Sequence, residues 1–175
     1  NPLVGDLIGN GKRLQSACIN ASKLNANLLI TPELSLWGYP PRDLLFNPSF
    51  IEEQDKVIKE IHQTIKYNAK KLSLLVGIAE LIKDKQSPRL FNSVALINEQ
   101  GYKIAARKQL LPSYDVFDEK RYFREGEHPN HIKLNVDGQE WSIGLTICED
   151  IWVEEKIQNQ RIIGPDPIEK LISKN

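Results

Sequence analysis

A chain of 175 residues, 41% hydrophobic and 26% charged, has the make-up of a folded globular protein and is too short for two domains of ordinary size. Its 23 basic residues are balanced by 23 acidic ones, which gives no electrostatic ground for a nucleic-acid or anionic-membrane partner. No apolar run approaches the ~20 residues needed to cross a bilayer, and no signal-peptide pattern opens the chain. Two cysteines, Cys18 and Cys148, make no disulfide framework, so a reducing, cytoplasmic setting is expected.

In chain order, the first ten residues, with Pro2, Gly5, Asp6 and Gly9, read as a loop. A helix is expected from about Lys12 to Asn25, where Leu14, Ala17, Cys18, Ala21 and Leu24 recur at helical spacing. Cys18 falls on that stripe and reads as a small core residue. Asn27 to Thr31 is a short apolar run of the kind buried on both faces of a sheet, and it ends at Pro32-Glu33. After an aromatic and proline-rich loop, Leu36 to Asp43, a second helix is expected over about Ser49 to Lys70. Strands are expected at Leu72 to Ile82, Phe91 to Ile97 and Tyr102 to Arg107, the last two joined by a turn at Asn98 to Gly101.

Lys108 to Asn130 shows little periodicity, and a connection this long inside a compact domain tends to be functional. A hairpin follows: His131 to Val136, a turn at Asp137-Gly138, and a strand from Glu140 through Ile147 that ends at Cys148. A helix is expected to begin near Glu149 to Val153, and another spans Ile168 to Asn175. The mixture of strands and helices places the fold in the α/β or layered α+β class. With no methionine, an opening at Asn1-Pro2 and a last helix without a terminating signal, both ends read as cut from a longer chain.

Glu33, Lys108 and Cys148 each stand just after an expected strand, the position where sites gather in open α/β sheets. A thiol at the start of a helix faces the positive end of its dipole, which favours the thiolate. Each residue also has a plainer reading: a buried core cysteine, a surface carboxylate, and a lysine at the charged end of a strand. His62, His128 and His131 show no cysteine or acid at familiar ligand spacing and read as surface, not as a metal site. There is no Gly-x-Ser-x-Gly elbow, phosphate loop or dinucleotide fingerprint.

Taken together and in order, the segments Thr31 to Leu34, Arg107 to Pro112 and Gly144 to Trp152 resemble the three signature blocks of the nitrilase (carbon–nitrogen hydrolase) superfamily. More narrowly, Asn1 to Asp6, Gly38 to Leu45, Tyr114 to Phe123 and Cys148-Glu149-Asp150-Ile151-Trp152 resemble the glutaminase domain of glutamine-dependent NAD synthetases. Other members of the superfamily usually carry an aromatic residue directly after the nucleophile, where this chain has Glu149.

The resemblance implies a four-layer α-β-β-α sandwich, present here as a truncated part that occupies residues 1–175. It implies a synthetase domain beyond Asn175 that uses ATP, Mg and deamido-NAD. It assigns Cys148 as nucleophile, Glu33 as general base and acid, and Lys108 as the cation beside the developing oxyanion. Glu119 is implied as a second carboxylate that orients Lys108, Tyr39 and Tyr114 as pocket tyrosines, and Glu149 as partner of the α-ammonium of free glutamine. Surface placement of Glu119 and loop packing of the tyrosines are the plainer readings. Glutamine as substrate and a homo-oligomer are expected on the same ground. Two rivals stand beside this reading: a stand-alone hydrolase of a small amide, and a catalytically silent interaction module.

Overall fold

The computed structural model describes residues 1–84, 87–128, 130–152 and 166–173. Four strands form one sheet in the order β1-β2-β3-β4: β1 is Leu28–Ile30, β2 Ser73–Leu81, β3 Leu90–Asn98 and β4 Gly101–Arg107. The chain's contacts group into two compact units, Asn1–Ala79 with Ser93–Ile104, and Glu80–Asn92 with Ala105–Asn175.

In the first unit, α1 (Leu7–Lys23) packs against α2 (Pro48–Asn68). The first helix begins five residues earlier than its apolar spacing predicts. Asp6 accepts the backbone N–H of Gly9 at 2.9 Å and so caps one of the unpaired donors of the first turn. Gly11, one residue before the expected start, sits inside the helix, where a Cβ would come within 2.3 Å of Val57 Cγ1. The glycine lets two helices approach closely, and this interhelical contact outweighs its poor helix propensity. The second helix starts on an Asn47 cap with Pro48 in its first turn, where a missing N–H costs nothing. It buries Ile51, Val57, Ile58, Ile61 and Ile65, each contributing about 1.5–3 kcal/mol by removal from water.

Strand β1 runs parallel to β2, with Leu28, Leu29 and Ile30 opposite Ser73, Leu74 and Leu75. Full burial was the expectation for β1, yet Ile30 is 67% exposed. Among the described strands β1 lies at the end of the sheet order, with β2 as its one neighbour, and an end position leaves one side uncovered. The first seven residues of β2 are all buried, the pattern of a strand covered on both faces.

In the second unit, β5 (His131–Val136) pairs antiparallel with β6 (Gln139–Gly144) around Asp137 (φ +52°) and Gly138 (φ +84°). Two successive left-handed residues are what a tight hairpin turn needs. The strand expected to run to Cys148 stops at Gly144, and the helix expected after it is a short 3-10 turn, Cys148–Ile151; Val153 lies outside the described residues. A third helix, α3, covers Pro167–Ile172, and the last two residues of the expected Ile168 to Asn175 helix lie outside the described residues. Residues 108–128 are irregular apart from a 3-10 turn at Glu119–Arg121 and a bridge from Phe123 to Leu90. Leu110, Leu111, Glu119 and Phe123 are nevertheless buried in this segment. Among the described residues no helix is long and apolar enough to cross a membrane.

Candidate active site

Lys108 directly follows β4, and its backbone is anchored on both sides. The Arg107 guanidinium grips Glu80 with two hydrogen bonds, of 2.7 and 2.5 Å, and lies 4.5 Å over the Phe91 ring. That carboxylate holds the Arg107 pKa above its usual value, by hydrogen bonding first and by its charge second. The side-chain amide of Asn130 pairs with both backbone groups of Arg107, accepting from its N–H at 3.0 Å and donating to its carbonyl at 2.9 Å. Lys108 then donates its own N–H to the Asn92 carbonyl and accepts from Gly126 N–H, both at 2.8 Å. With the backbone pinned on both sides, the Lys108 side chain turns inward and is fully buried, its Nζ 2.9 Å from Glu119 Oε1. An isolated charge there would be costly, and the Glu119 carboxylate helps to make a buried ammonium tolerable.

Cys148 is exposed and has φ +47°, in the left-handed region that non-glycine residues rarely enter. A residue held there costs on the order of 1–2 kcal/mol, and such strain clusters at functional sites. The sequence argument from a helix dipole fails, because the thiol lies inside a four-residue 3-10 turn rather than at the end of a long helix. What distinguishes Cys148 is its exposure at a strained turn. Cys18 is the opposite case: fully enclosed, with its thiol pushed up to about 11 by burial.

Two acids follow Cys148, and both point inward. Glu149 is 7% exposed and accepts the Tyr114 hydroxyl on Oε1 at 2.9 Å. Tyr114 is itself set edge-on against Phe117 at 5.7 Å between ring centroids. Asp150 is fully buried and its carboxylate accepts the backbone N–H groups of Gln109, Leu110 and Ile147 at 3.0, 2.9 and 3.2 Å. Burial pushes the Asp150 carboxyl above its usual range, while the three N–H groups and the Lys108 charge draw it back. Its role was not foreseen. Two adjacent acids at the end of an apolar strand were the available signal, because a buried carboxylate must find partners.

Glu33 and Tyr39 belong to the first unit. Glu33 is half-buried on the loop after β1 and is followed by Leu34 at φ +46°. The loop is stitched to β2: Leu36 N–H donates to Gly77 O at 3.1 Å, Gly77 N–H to Ser35 Oγ at 3.2 Å, and Thr31 Oγ1 to Leu75 O at 3.0 Å. A Cβ on Gly77 would lie 2.2 Å from Leu34 N and 2.8 Å from Pro32 O. Only glycine lets the Glu33 loop lie so close to the strand, and a glycine within an apolar strand was the sequence signal for such an approach. Trp37, buried on the same loop, donates its indole N–H to Gln54 Oε1 at 2.6 Å. Tyr39 stands at the loop's far end and is 36% exposed.

Of the seven residues singled out from the sequence, Lys108, Tyr114, Glu119, Cys148 and Glu149 share the second unit, and two pairs among them are bonded directly. A buried ammonium with its carboxylate, an exposed thiol on a strained turn, and a further carboxylate beside that thiol are suited to acyl transfer with charge stabilisation.

Comparison with known proteins agrees with that chemistry. The sequence model of the Carbon-nitrogen hydrolase family matches residues 1–159. A glutamine-dependent NAD(+) synthetase of Synechocystis sp. is 36% identical over 176 residues, covering 98% of this chain and 30% of the relative. One from Aquifex aeolicus is 36% identical over 165 residues, covering 94% of this chain and 27% of the relative. The chain thus spans less than a third of the length of these curated relatives. Among solved structures, the glutamine-dependent NAD+ synthetase of Acinetobacter baumannii superposes with a TM-score of 0.73 at 30% identity, over 91% of this chain and 28% of that one. An amidase from Nesterenkonia sp. gives a TM-score of 0.64 at 24% identity over 86% of this chain and 53% of that one, and shares the fold. The mixed α/β class and nitrilase-type fold expected from the sequence are therefore present, and the chain belongs to the carbon–nitrogen hydrolase family.

Proposed function

We propose that this chain carries the glutamine-hydrolysing site of a glutamine-dependent NAD synthetase. The observation that carries the reading is the pairing of Lys108 with Glu119 in the same unit as an exposed Cys148 on a left-handed turn. Cys148 Sγ attacks the side-chain carboxamide carbon of glutamine, and Glu33 takes the thiol proton. Collapse of the tetrahedral adduct breaks the C–N bond, the proton passes to the leaving nitrogen, and ammonia departs from a thioester. Water, deprotonated by Glu33, then releases glutamate and restores the thiol. The Lys108 ammonium stabilises the oxyanion, a contribution of about 2.7–4 kcal/mol for a donor of this kind. Glu119 holds that ammonium in place.

Glu149 supplies the selectivity. Its buried carboxylate, oriented by Tyr114, is suited to the α-ammonium of a free amino acid, which simple amides lack. Tyr39 is a second pocket tyrosine in this reading. The ammonia serves ATP-dependent conversion of deamido-NAD to NAD in a synthetase domain outside these residues, in a cytoplasmic homo-oligomer. ATP, Mg and deamido-NAD do not fit the residues present: the sequence has no phosphate loop, and among the described residues no group of three His, Cys, Asp or Glu could hold a metal ion.

The test uses the full chain. Ammonia release is measured from glutamine and from a panel of aliphatic amides, and Cys148 is trapped with a glutamine-analogue electrophile followed by peptide mass spectrometry. Glutamine as the preferred amide, with the adduct on Cys148 and none on Cys18, supports the reading. Preference for a simple amide would make the protein a stand-alone amide hydrolase, and a folded chain with no adduct would make it a silent module.

A further inference from the structure

Lys108 and Cys148 lie 40 residues apart in sequence, and each is flanked by backbone that one buried side chain holds. Asp150 Oδ1 accepts Gln109 N–H at 3.0 Å and Leu110 N–H at 2.9 Å, the two residues after Lys108. Its Oδ2 accepts Ile147 N–H at 3.2 Å, the residue before Cys148. We propose that Asp150 is a positioning residue that sets the separation between the Lys108 segment and the Cys148 turn. The inference deepens the functional reading above and rests on it for its consequence in catalysis.

The physical case is one of geometry and unequal acceptors. A carboxylate has four lone-pair directions in a plane and can bond two backbone segments at once without a donor of its own to place. All three of its named partners are backbone, so Asp150 fixes the path of the chain rather than one side chain. It is fully buried, so water does not compete for these bonds, and an ionised acceptor strengthens each of them. The turn it holds on the nucleophile side is the strained one, since Cys148 keeps φ +47° against its own preference. Asn130 reinforces the same link from the other side, bonding Arg107 through its side chain and accepting Leu145 N–H on its carbonyl at 2.8 Å. A shift of about 1 Å between nucleophile and oxyanion donor can cost on the order of a hundredfold in rate. The residue that fixes that separation therefore controls turnover without touching the substrate.

Two substitutions separate this role from plain structural support. Asp150→Asn keeps the size but turns an amide NH2 toward a backbone N–H on one side, so at least one of the two segments loses its acceptor. Asp150→Glu keeps the charge and adds a methylene, which pushes the two segments apart. In the full chain, with folding checked by circular dichroism and urea midpoint, each folded variant is expected to lose at least 30-fold in kcat for glutamine with KM within threefold of wild type. Cys148 alkylation by iodoacetamide at neutral pH, read by peptide mass spectrometry, is expected to change at least threefold while Cys18 stays unmodified. A kcat within threefold of wild type in either folded variant overturns the proposal. So does a fall in kcat matched by a rise in KM with unchanged Cys148 alkylation.

Should neither variant fold, hydrogen exchange on wild type decides: Gln109, Leu110 and Ile147 amides exchanging with common protection support the link, and Ile147 differing from the other two by 100-fold or more overturns it. A wild type without glutaminase activity sinks the functional reading instead, and the alkylation and exchange results still judge Asp150.

Discussion

Lys108 Nζ and Glu119 Oε1 lie 2.9 Å apart, with the lysine side chain fully enclosed and the glutamate side chain 5% exposed. Both charges have left water, so each depends on the other to offset its lost hydration. Removing one partner breaks the direct pair and leaves the other charge buried, at about 3–5 kcal/mol. Lys108→Ala and Glu119→Ala are each expected to destabilise the full chain by roughly that amount. Lys108→Met combined with Glu119→Leu is expected to cost less than either, since no charge stays unpaired. Urea denaturation of the four proteins measures this, and equal additive losses would contradict it. Lys108→Ala is also expected to lower kcat by about 10²–10³, as loss of an oxyanion donor does.

Gly77 governs the Glu33 loop. In Gly77→Ala the new methyl group would meet Leu34 N at 2.2 Å, a contact with backbone that no rotamer relieves. Either the loop carrying Glu33 lifts from β2 or the strand moves, and overpacking of this kind costs roughly 1–3 kcal/mol or more. The expected outcome is a lower urea midpoint together with loss of amide hydrolysis. Unchanged values for both would show that the loop has more room than the structure gives it.

The left-handed turn at Cys148 makes a prediction about two inactive variants. Cys148→Ala retains a Cβ and keeps the strain of φ +47°, whereas Cys148→Gly removes it. Cys148→Gly is expected to be more stable than Cys148→Ala by about 1 kcal/mol, the reverse of the usual order for exposed positions. Paired thermal or urea melts of the two variants decide the matter.

The two thiols respond differently to pH. Cys18 has its pKa raised from 9.0 to about 11 by burial. A raised folded-state value means that its contribution to stability is fully present below pH 9 and is lost as pH rises through 11. A rise of this size corresponds to roughly 3 kcal/mol. The stability difference between wild type and Cys18→Ala is therefore expected to shrink between pH 9 and pH 11, measured by urea unfolding at each pH. At neutral pH, iodoacetamide is expected to modify the exposed Cys148 and leave Cys18 untouched.

Much of the architecture could be read from the chain because local signals and burial agree there. The isoleucines of α2, the apolar run of β2 and the Asp137-Gly138 turn each call for one conformation on their own. Differences arose where a distant partner outweighed a local preference. Helix α1 takes in Gly11, where close approach to Val57 outweighs a glycine's poor helix propensity, and β1 is partly exposed because its place in the sheet order leaves it one neighbour among the described strands. The helix expected after Cys148 shrank to one 3-10 turn, in which Asp150 turns back to bond Ile147 rather than facing outward.

The sequence by itself determined the family and singled out the candidate reactive groups, because chemistry is written in residue types and in the order of short motifs. It also determined the helices and strands whose periodicity is strong. Only the tertiary structure decided that Lys108 is buried and paired with Glu119, that Tyr114 reaches Glu149, and that Asp150 bonds a backbone segment 40 residues away. Burial and charge pairing depend on which distant segments are brought into contact, and no local pattern carries that information: a lysine beside an arginine at the end of a strand reads the same whether water or a carboxylate awaits it.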